Sequence, residues 1–260
     1  MAMDKEAELG LGLEHGPEPL LPVLYEDNHL LAVVKPPGVL SQADDTGEPD
    51  MVTLLKEDLK VRYRKPGNVY VGLVHRLDRP VGGAMLFAKT SKAASRLSES
   101  VRSRNFDKLY LAVVHGAPEA SSGRLRHFLR KDAGRNIVTV HTKQVQDAKE
   151  AILDYAVVAA RGGYSLVAVK LLTGRSHQIR AQMSYIACPL VYDRKYGAPA
   201  VQGEQDIALW SAMVGVAHPV TKEWLTFDAA PPKAEPWSRF SEQDYARART
   251  ILPQKGTDGS

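Results

Sequence analysis

The chain carries the stretch His75-Arg76-Leu77-Asp78-Arg79-Pro80 between two apolar runs, Val71 to Val74 and Ala84 to Ala88. Both runs have the length and composition of short β-strands, so the polar residues between them are predicted to form a turn. The turn places the carboxylate of Asp78 between two arginines, which are always charged. A carboxylate fixed on a turn between strands can act as a nucleophile, a base or a ligand. The alternative is an exposed Asp–Arg pair without a chemical role, because such surface pairs are common.

The rest of the chain predicts many strands and few helices. Helical spacing marks residues 51–64, 91–104 and 175–186, the second with Ser91 as its N-cap. Gly162-Gly163 predicts a hairpin turn between two strands. Because strict strand–helix alternation is missing, we predict an α+β fold with a mixed, largely antiparallel sheet and flanking helices. The predicted strands cover residues 30–34, 71–74, 84–88, 108–115, 124–129, 137–141, 151–159, 164–172, 207–216 and 224–227.

Length and composition indicate one globular domain. The 260 residues are 44% apolar and 25% charged, and we place the domain at residues 21–251, with disordered tails at 1–20 and 252–260. A single cysteine, Cys188, excludes an internal disulfide and fits a reducing compartment. No apolar run approaches the roughly 18 residues of a membrane span, and the acidic N-terminus does not resemble a secretory signal. A cytoplasmic location is therefore predicted.

The charge distribution suggests an anionic partner. The net charge is +4, and basic side chains cluster at Lys56–Lys65 and Arg124–Lys143. Such clusters can follow the phosphates of a nucleic acid, although a solvated basic surface is the alternative. Paired cysteines and a His-Glu-x-x-His motif are both missing from the sequence, so no metal site is predicted.

Two further segments place polar side chains on regular elements. Alternation in Lys108-Leu109-Tyr110-Leu111-Ala112-Val113-Val114 puts Lys108 and Tyr110 on one face of a strand. The second segment is Leu171-Leu172-Thr173-Gly174-Arg175-Ser176-His177-Gln178-Ile179-Arg180, in which Thr-Gly ends a strand and opens a helix. On an ideal helix Arg175 and Arg180 point about 140° apart, so only one of them can face a given point.

These three segments resemble the RluA family of pseudouridine synthases. They correspond to the family patterns H-R-L-D-R-x-T-S-G, K-x-Y-x-A-x-V and L-x-T-G-R-x-H-Q-I-R, in that order, and the third matches at every fixed position. Weaker matches at 27–38, 189–197 and 218–221 are interpreted as mainly structural and extend the resemblance over residues 27–232. One departure is Pro80-Val81-Gly82-Gly83 in place of D-T-S-G, which loses two hydroxyls beside Asp78.

The resemblance implies a stand-alone enzyme that isomerises a specific uridine in structured RNA, a stem-loop of ribosomal or transfer RNA, to pseudouridine. It implies a central RNA-binding cleft, no cofactor, and, as we expect, a monomer without an obligate protein partner. Asp78 would be the nucleophile, Arg180 would pair with it and hold it ionised, and Tyr110 would stack on the uracil and is the candidate for removing a proton. The residues expected to contact RNA are Arg76, which would fill the gap left by the flipped base, Arg79, Lys108, Arg175 and His177.

Three other functions are alternatives to this one. A non-catalytic RNA-binding or RNA-folding protein on the same scaffold is the main alternative, but the presence of Asp78, Tyr110 and Arg180 together favours the enzyme. A glycosidase would need a second acid, and none stands in a recognisable motif. A kinase is excluded because the Asn and D-F-G that should follow His-Arg-Asp are missing.

Overall fold

The computed structural model describes residues 17–199 and 206–253. The helices are α1 (Met51–Arg62), α2 (Ser91–Arg102), α3 (Gln178–Tyr185) and α4 (Glu242–Thr250), with single 3-10 turns at Arg194–Tyr196 and Trp237–Arg239. The strands are β1 (Val23–Glu26), β2 (Leu30–Lys35), β3 (Gly72–Leu73), β4 (Gly82–Ala88), β5 (Phe106–His115), β6 (Ser122–Asp132), β7 (Ile137–His141), β8 (Lys149–Arg161), β9 (Tyr164–Leu171), β10 (Leu209–Ala217) and β11 (Trp224–Asp228).

All these strands form one sheet. Its order is β1-β2-β4-β10-β5-β9-β8-β6-β7, with β3 added to β4 and β11 added to β10. The pairing of β4 with β10 is parallel, and the other pairings are antiparallel. The predicted α+β class and mixed, largely antiparallel sheet are confirmed. The predicted hairpin turn is present as well, because Gly162 and Gly163 join β8 to β9 with φ of +57° and +80°.

The sheet carries a hydrophobic core on each face. Alternation along β5 shows the division, because Leu109 and Leu111 point to one core whereas Tyr110 and Ala112 point to the other. We call the side of Tyr110 the front face, where α1 and α3 pack. The back face is covered by α2 and α4. The helices therefore lie on both sides of the sheet, and the front face carries the residues with candidate chemistry.

Several local predictions differ from the structure. The N-cap of α2 is Thr90, whose Oγ1 accepts a hydrogen bond from the Ala93 N–H at 3.2 Å, so the prediction of Ser91 was wrong. Helix α3 begins at Gln178, three residues after the predicted start. Strand β1 and helix α4 were not predicted. The sequence signal of α4 is weak because Ala248 is the one residue that it buries.

The ends of the described chain are attached to the domain. Residues 17–20 have no helix or strand, but the Leu20 N–H donates to Asp58 Oδ1 at 2.9 Å. At the other end Leu252 lies in the back core, and the carbonyl of Pro253 accepts a hydrogen bond from Lys170. The rest of the predicted tails, 1–16 and 254–260, lies outside the described residues. Within the described ranges no helix has the length and apolar content to cross a bilayer.

Candidate active site

Asp78 lies on the loop between β3 and β4, and a buried lysine holds this loop in place. Lys35 ends β2, and its Nζ donates to the carbonyls of Pro36 at 3.0 Å, Arg79 at 3.0 Å and Val81 at 2.8 Å. Burial lowers the pKa of Lys35 to about 8, although the nearby charge of Asp78 acts in the opposite direction. Lys35 therefore cross-links the chain on the C-terminal side of Asp78.

The residues before Asp78 are anchored as well. Ser41 Oγ donates to the Leu77 carbonyl at 2.7 Å and accepts from the Leu77 N–H at 3.0 Å. Nε2 of the buried His75 ring accepts a hydrogen bond from the Leu86 N–H at 3.0 Å. Burial holds the pKa of His75 well below its usual value, so the ring is neutral. The loop is thus fixed on both sides of Asp78.

One of the departures from the family pattern after Arg79, the glycine at position 82, has a steric reason. Gly82 stands where the pattern has serine, and a β-carbon at this position would collide with the ring of Trp210 and lie 2.9 Å from Pro37 Cδ. Trp210 is buried, and its Nε1 donates to the Ala229 carbonyl at 2.9 Å. The indole ring therefore occupies the space that a serine side chain would need.

Arg180 of α3 contacts two carboxylates. Its Nε and Nη2 donate to Asp193 Oδ2 and Oδ1 at 2.7 and 2.8 Å, and its Nη1 donates to Asp78 Oδ2 at 3.3 Å. The side chains of Arg180 and Asp193 are 6% and 1% exposed, whereas that of Asp78 is 26% exposed. Burial opposes the charge of Arg180, but the bonds to Asp193 and Asp78 raise its pKa above the usual value. The ion pair between Asp78 and Arg180 that the resemblance implies is present.

A pocket opens beside this cluster. Arg180, Asp193 and Lys195 are among the residues that line it, and its volume is about 560 Å³. A volume in this range accommodates a small ligand or a single nucleotide. Among the described residues, no group of three or more His, Cys, Asp or Glu side chains could hold a metal ion.

His177, which was predicted to contact RNA, is buried. The residue is 8% exposed, and its Nε2 is 4.0 Å from Asp78 Oδ2. Its Nδ1 is 2.8 Å from the hydroxyl of Tyr196. Burial lowers the pKa of His177 despite the opposing charge of Asp78, so the ring is neutral at neutral pH. The structure therefore places His177 against the candidate nucleophile, and its role in RNA contact stays a prediction.

Tyr110 and Lys108 both lie on β5, but their environments differ. Tyr110 is 5% exposed, and burial together with the charge of Asp78 raises the pKa of its hydroxyl well above the usual value. The hydroxyl is therefore protonated at any ordinary pH. Burial lowers the pKa of Lys108 to about 8, and its Nζ lies 5.2 Å from the centre of the Phe106 ring. A β-carbon at Gly174 would lie 3.9 Å from the same Nζ, so Lys108 lies beside the turn that precedes α3.

The other predicted RNA contacts lie on the surface. Arg76 is exposed. Arg79 donates from Nε to the Gly38 carbonyl at 2.9 Å and lies 3.4 Å from Glu48. Arg175 precedes α3, and its Nε donates to the Glu150 carbonyl at 2.8 Å. The expected helical angle between Arg175 and Arg180 does not apply, because Arg175 is not on the helix.

Three residues near the site were not predicted to belong to it: Lys35, Asp193 and Tyr196. All three fall in the weaker matches at 27–38 and 189–197, which were interpreted as mainly structural. Asp193 and Tyr196 reach the site because the 3-10 turn at Arg194–Tyr196 packs against α3. The available signals were a lysine at the end of a predicted strand and an aspartate within a family pattern. Neither signal identifies the residue with which the side chain interacts.

Comparison with known proteins assigns the chain to a family. A model described as RNA pseudouridylate synthase matches residues 29–185. The uncharacterised RNA pseudouridine synthase YlyB of Bacillus subtilis is 32% identical over 219 residues, which are 83% of this chain and 71% of that protein. The chain belongs to the RNA pseudouridine synthase family. The predicted RluA-type membership and enzyme class, an isomerase that acts on RNA, are confirmed.

Two further similar proteins show how much of each chain the similarity covers. The ribosomal large subunit pseudouridine synthase C of Buchnera aphidicola is 32% identical over 178 residues, 67% of this chain and 53% of that protein. The chain thus spans about half the length of that relative. The solved structure of human RNA pseudouridylate synthase domain containing 4 has a TM-score of 0.70 at 20% identity and covers 88% of this chain and 93% of its own. That likeness confirms the pseudouridine synthase fold.

Proposed function

We propose that this pseudouridine synthase converts a uridine in a stem-loop of ribosomal or transfer RNA to pseudouridine, with Asp78 as the nucleophile. The observation that carries the assignment is the unequal sharing of Arg180. Asp193 takes two of its hydrogen bonds and is buried, whereas Asp78 takes one and stays 26% exposed. Asp78 is therefore held in orientation and remains accessible to a substrate. Relatives named ribosomal large subunit pseudouridine synthase C and D favour ribosomal RNA as the target.

The reaction begins with extrusion of the target base from its stack, which costs a few kcal/mol. Arg76 is exposed next to Asp78 in the chain and is the residue proposed to fill the gap left in the RNA. Asp78 attacks the sugar or the base, the bond from ribose to N1 breaks, and the base rotates. A carbon–carbon bond then forms from ribose C1′ to C5, the bond between Asp78 and the substrate breaks and restores the carboxylate, C5 loses its proton and N1 gains one. Atoms and charge balance without an oxidant or a reductant.

Tyr110 is proposed to stack on the uracil and to assist the loss of the C5 proton. Stacking on an aromatic ring contributes about 1–3 kcal/mol per base. Because burial and Asp78 keep the hydroxyl protonated, Tyr110 cannot act as a phenolate base. It can take the C5 proton only if it passes its own proton to another acceptor, so we assign it a relay role.

The basic segment Arg124–Lys143 divides into two groups of side chains. Arg124 and Arg126 form ion pairs with Asp154 and Glu150 at 2.6 Å. Lys131 lies opposite Val138 in the β6–β7 pair, and Val138 packs against α3 on the front face. Residues directly opposite in an antiparallel pair point to the same side. Lys131 is therefore the better candidate for a contact with RNA phosphates near the site.

A release assay with RNA that carries tritium at C5 of uridine tests the proposal. The wild type should release tritium without releasing free uracil, and Asp78→Asn should bind RNA but release none. Asp45→Asn removes an exposed carboxylate from the loop between β2 and α1 and serves as the matched control. Free base would indicate a glycosidase, and binding without release by the wild type would indicate a non-catalytic RNA-binding protein. Tritium release by Asp78→Asn would refute the nucleophile.

A cytoplasmic location and a monomeric state stay predictions. Light scattering of the purified chain with and without an RNA stem-loop tests the second. A 1:1 complex is expected, because each chain holds Asp78, Tyr110 and Arg180 on its own front face. A dimer that persists at nanomolar concentration would contradict it.

A further inference from the structure

His177 is held in an unusual backbone conformation directly beside Asp78. Its φ of +51° and ψ of 22° are in the left-handed region, which residues other than glycine seldom adopt. It stands at the N-cap position of α3 but makes no side-chain capping bond. The carbonyl of His177 accepts a helical hydrogen bond from the Ala181 N–H at 2.9 Å, but its side chain does not serve the helix terminus. Such outliers concentrate where a side chain is held for function, and this one directs the ring between Tyr196 and Asp78.

The hydrogen bonds around Tyr196 determine which ring nitrogen of His177 carries the proton. The Val138 N–H donates to the Tyr196 hydroxyl oxygen at 2.9 Å. The hydroxyl must then donate its own proton, and among the described residues its acceptor is His177 Nδ1 at 2.8 Å. If Nδ1 carried a proton instead, the buried hydroxyl would have no acceptor. The arrangement that gives the Tyr196 hydroxyl an acceptor therefore leaves the ring proton on Nε2.

Nε2 is also the atom that faces Asp78. Its distance to Asp78 Oδ2 is 4.0 Å, and Arg180 Nη1 contacts the same oxygen at 3.3 Å. A movement of roughly 1 Å would bring Nε2 within hydrogen-bonding distance. Asp78 has room to move because it is 26% exposed, whereas His177 is 8% exposed. Two donors on Oδ2 would leave Oδ1 free to point at the substrate.

We propose that His177 is a positioning residue for Asp78: its Nε2–H, fixed by Tyr196, donates to Oδ2 when RNA is bound and so directs Oδ1 toward the target nucleotide. This inference rests on the proposed role of Asp78. It replaces a direct RNA contact by His177, because both ring nitrogens already face protein atoms. Tyr196 acts one step further away, since it fixes the tautomer through Nδ1 and does not touch Asp78.

The tautomer can be measured without catalysis. In the full chain labelled with ¹⁵N-histidine, long-range ¹H–¹⁵N correlations at neutral pH should show His177 as the neutral Nε2–H form. Tyr196→Phe removes the donor to Nδ1 and should populate the Nδ1–H form. His127 is the internal control, because its Nδ1 lies 2.9 Å from the Gln182 amide and is not in contact with Tyr196. A wild-type ring in the Nδ1–H or the doubly protonated form would overturn the inference.

Kinetics then separate positioning from RNA binding. His177→Gln and Tyr196→Phe should each slow single-turnover pseudouridine formation at least about tenfold, the effect of losing one hydrogen bond to a carboxylate, with RNA affinity changed less than about twofold. Weakened RNA affinity at an unchanged rate would make His177 an RNA contact and overturn the proposal. So would an unchanged rate in Tyr196→Phe once its tautomer has shifted. Activity in Asp78→Asn would refute the proposed nucleophile instead and would leave the tautomer result standing.

Discussion

Arg180 binds two carboxylates, Asp193 and Asp78, that lie in different parts of the molecule. They differ in burial and in the number of hydrogen bonds that they accept from the guanidinium. Asp193, in the turn before Arg194–Tyr196, is 1% exposed and accepts two hydrogen bonds from the guanidinium at 2.7 and 2.8 Å. Asp78, on the loop between β3 and β4, is 26% exposed and accepts one at 3.3 Å. Both regions are rigid, but only the loop of Asp78 leaves its carboxylate incompletely paired.

The difference explains how one arginine can serve two purposes. A bidentate, buried Arg–carboxylate pair fixes the plane of the guanidinium, so Asp193 determines where the third N–H points. That N–H orients Asp78 without occupying all its lone pairs. A nucleophilic carboxylate needs this combination, since full pairing would stabilise it against reaction and full exposure would leave it mobile.

Removal of the shared arginine should have the largest effect. Arg180→Met removes the guanidinium that pairs with the buried Asp193, and breaking a buried pair in this way costs about 3–5 kcal/mol. We expect a clear fall in the melting temperature and the loss of nearly all pseudouridine formation. Arg180→Lys keeps the charge but not the bidentate geometry, so it should lie between Met and wild type in both measurements. Full activity in the Met variant would show that Asp78 does not depend on Arg180.

Tyr110→Phe tests whether the chemistry extends beyond the Asp78 loop. The ring can still stack, so RNA affinity should stay near that of the wild type, whereas proton relay by the hydroxyl is lost. We expect a stalled RNA adduct or rearranged base and little finished pseudouridine, measured by mass spectrometry of digested RNA. If the variant turns over at the wild-type rate, Tyr110 is only a stacking surface.

The pH dependence of activity and of stability tests whether Lys35 anchors the Asp78 loop. Burial lowers the pKa of Lys35 to about 8, and above that pH the neutral amine has two protons for three carbonyl acceptors. Activity should therefore fall as the pH rises above about 8. Stability should move the other way: between about 8 and the ordinary lysine pKa of 10.5 the unfolded chain binds more protons, so the free energy of unfolding rises with pH.

Lys108 provides the control for that profile, because burial lowers its pKa to about 8 as well. In Lys108→Met, activity should still fall as the pH rises above about 8. Only the share of the pH-dependent change in unfolding free energy that comes from Lys108 should disappear. If the fall in activity disappears in Lys108→Met, Lys108 and not Lys35 is the titrating group.

The smallest effects should separate Lys131 from Arg124 and Arg126, the two arginines of β6 that form ion pairs. Lys131→Ala should weaken RNA binding a few-fold and lower the salt dependence by about one phosphate contact. Arg124→Ala and Arg126→Ala should change RNA affinity little, since Asp154 and Glu150 already neutralise these arginines. Equal losses in all three variants would mean that RNA contacts both faces of the strand.

Features whose signal lies in a few neighbouring residues could be predicted from the sequence. Gly162-Gly163 marks its hairpin, alternation along β5 orients Tyr110, and the resemblance in three segments leads to the family and to the pair of Asp78 with Arg180. The boundary of α2 was missed by one residue, because Thr90 and Ser91 are both good caps and only the backbone decides between them.

Side-chain contacts that no sequence periodicity encodes account for the remaining misses. Gln178 Oε1 accepts hydrogen bonds from Thr173 Oγ1 at 2.8 Å and the Arg175 N–H at 3.0 Å, which folds residues 173–178 into a turn and delays the start of α3. Asp193 lies 13 residues from Arg180 on a different element. No periodicity in the sequence reveals such a pair, because it exists only after the turn packs against the helix.

The most direct test compares Asp78→Asn with Asp193→Asn in one experiment, with melting temperature and single-turnover pseudouridine formation measured on the same RNA. Asp78→Asn should melt within a few degrees of the wild type and form no product. Asp193→Asn should melt at a clearly lower temperature and retain slow, measurable turnover, because the amide still accepts one hydrogen bond from Arg180. Turnover in Asp78→Asn, or a silent but fully stable Asp193→Asn, would contradict the division of roles between the two carboxylates.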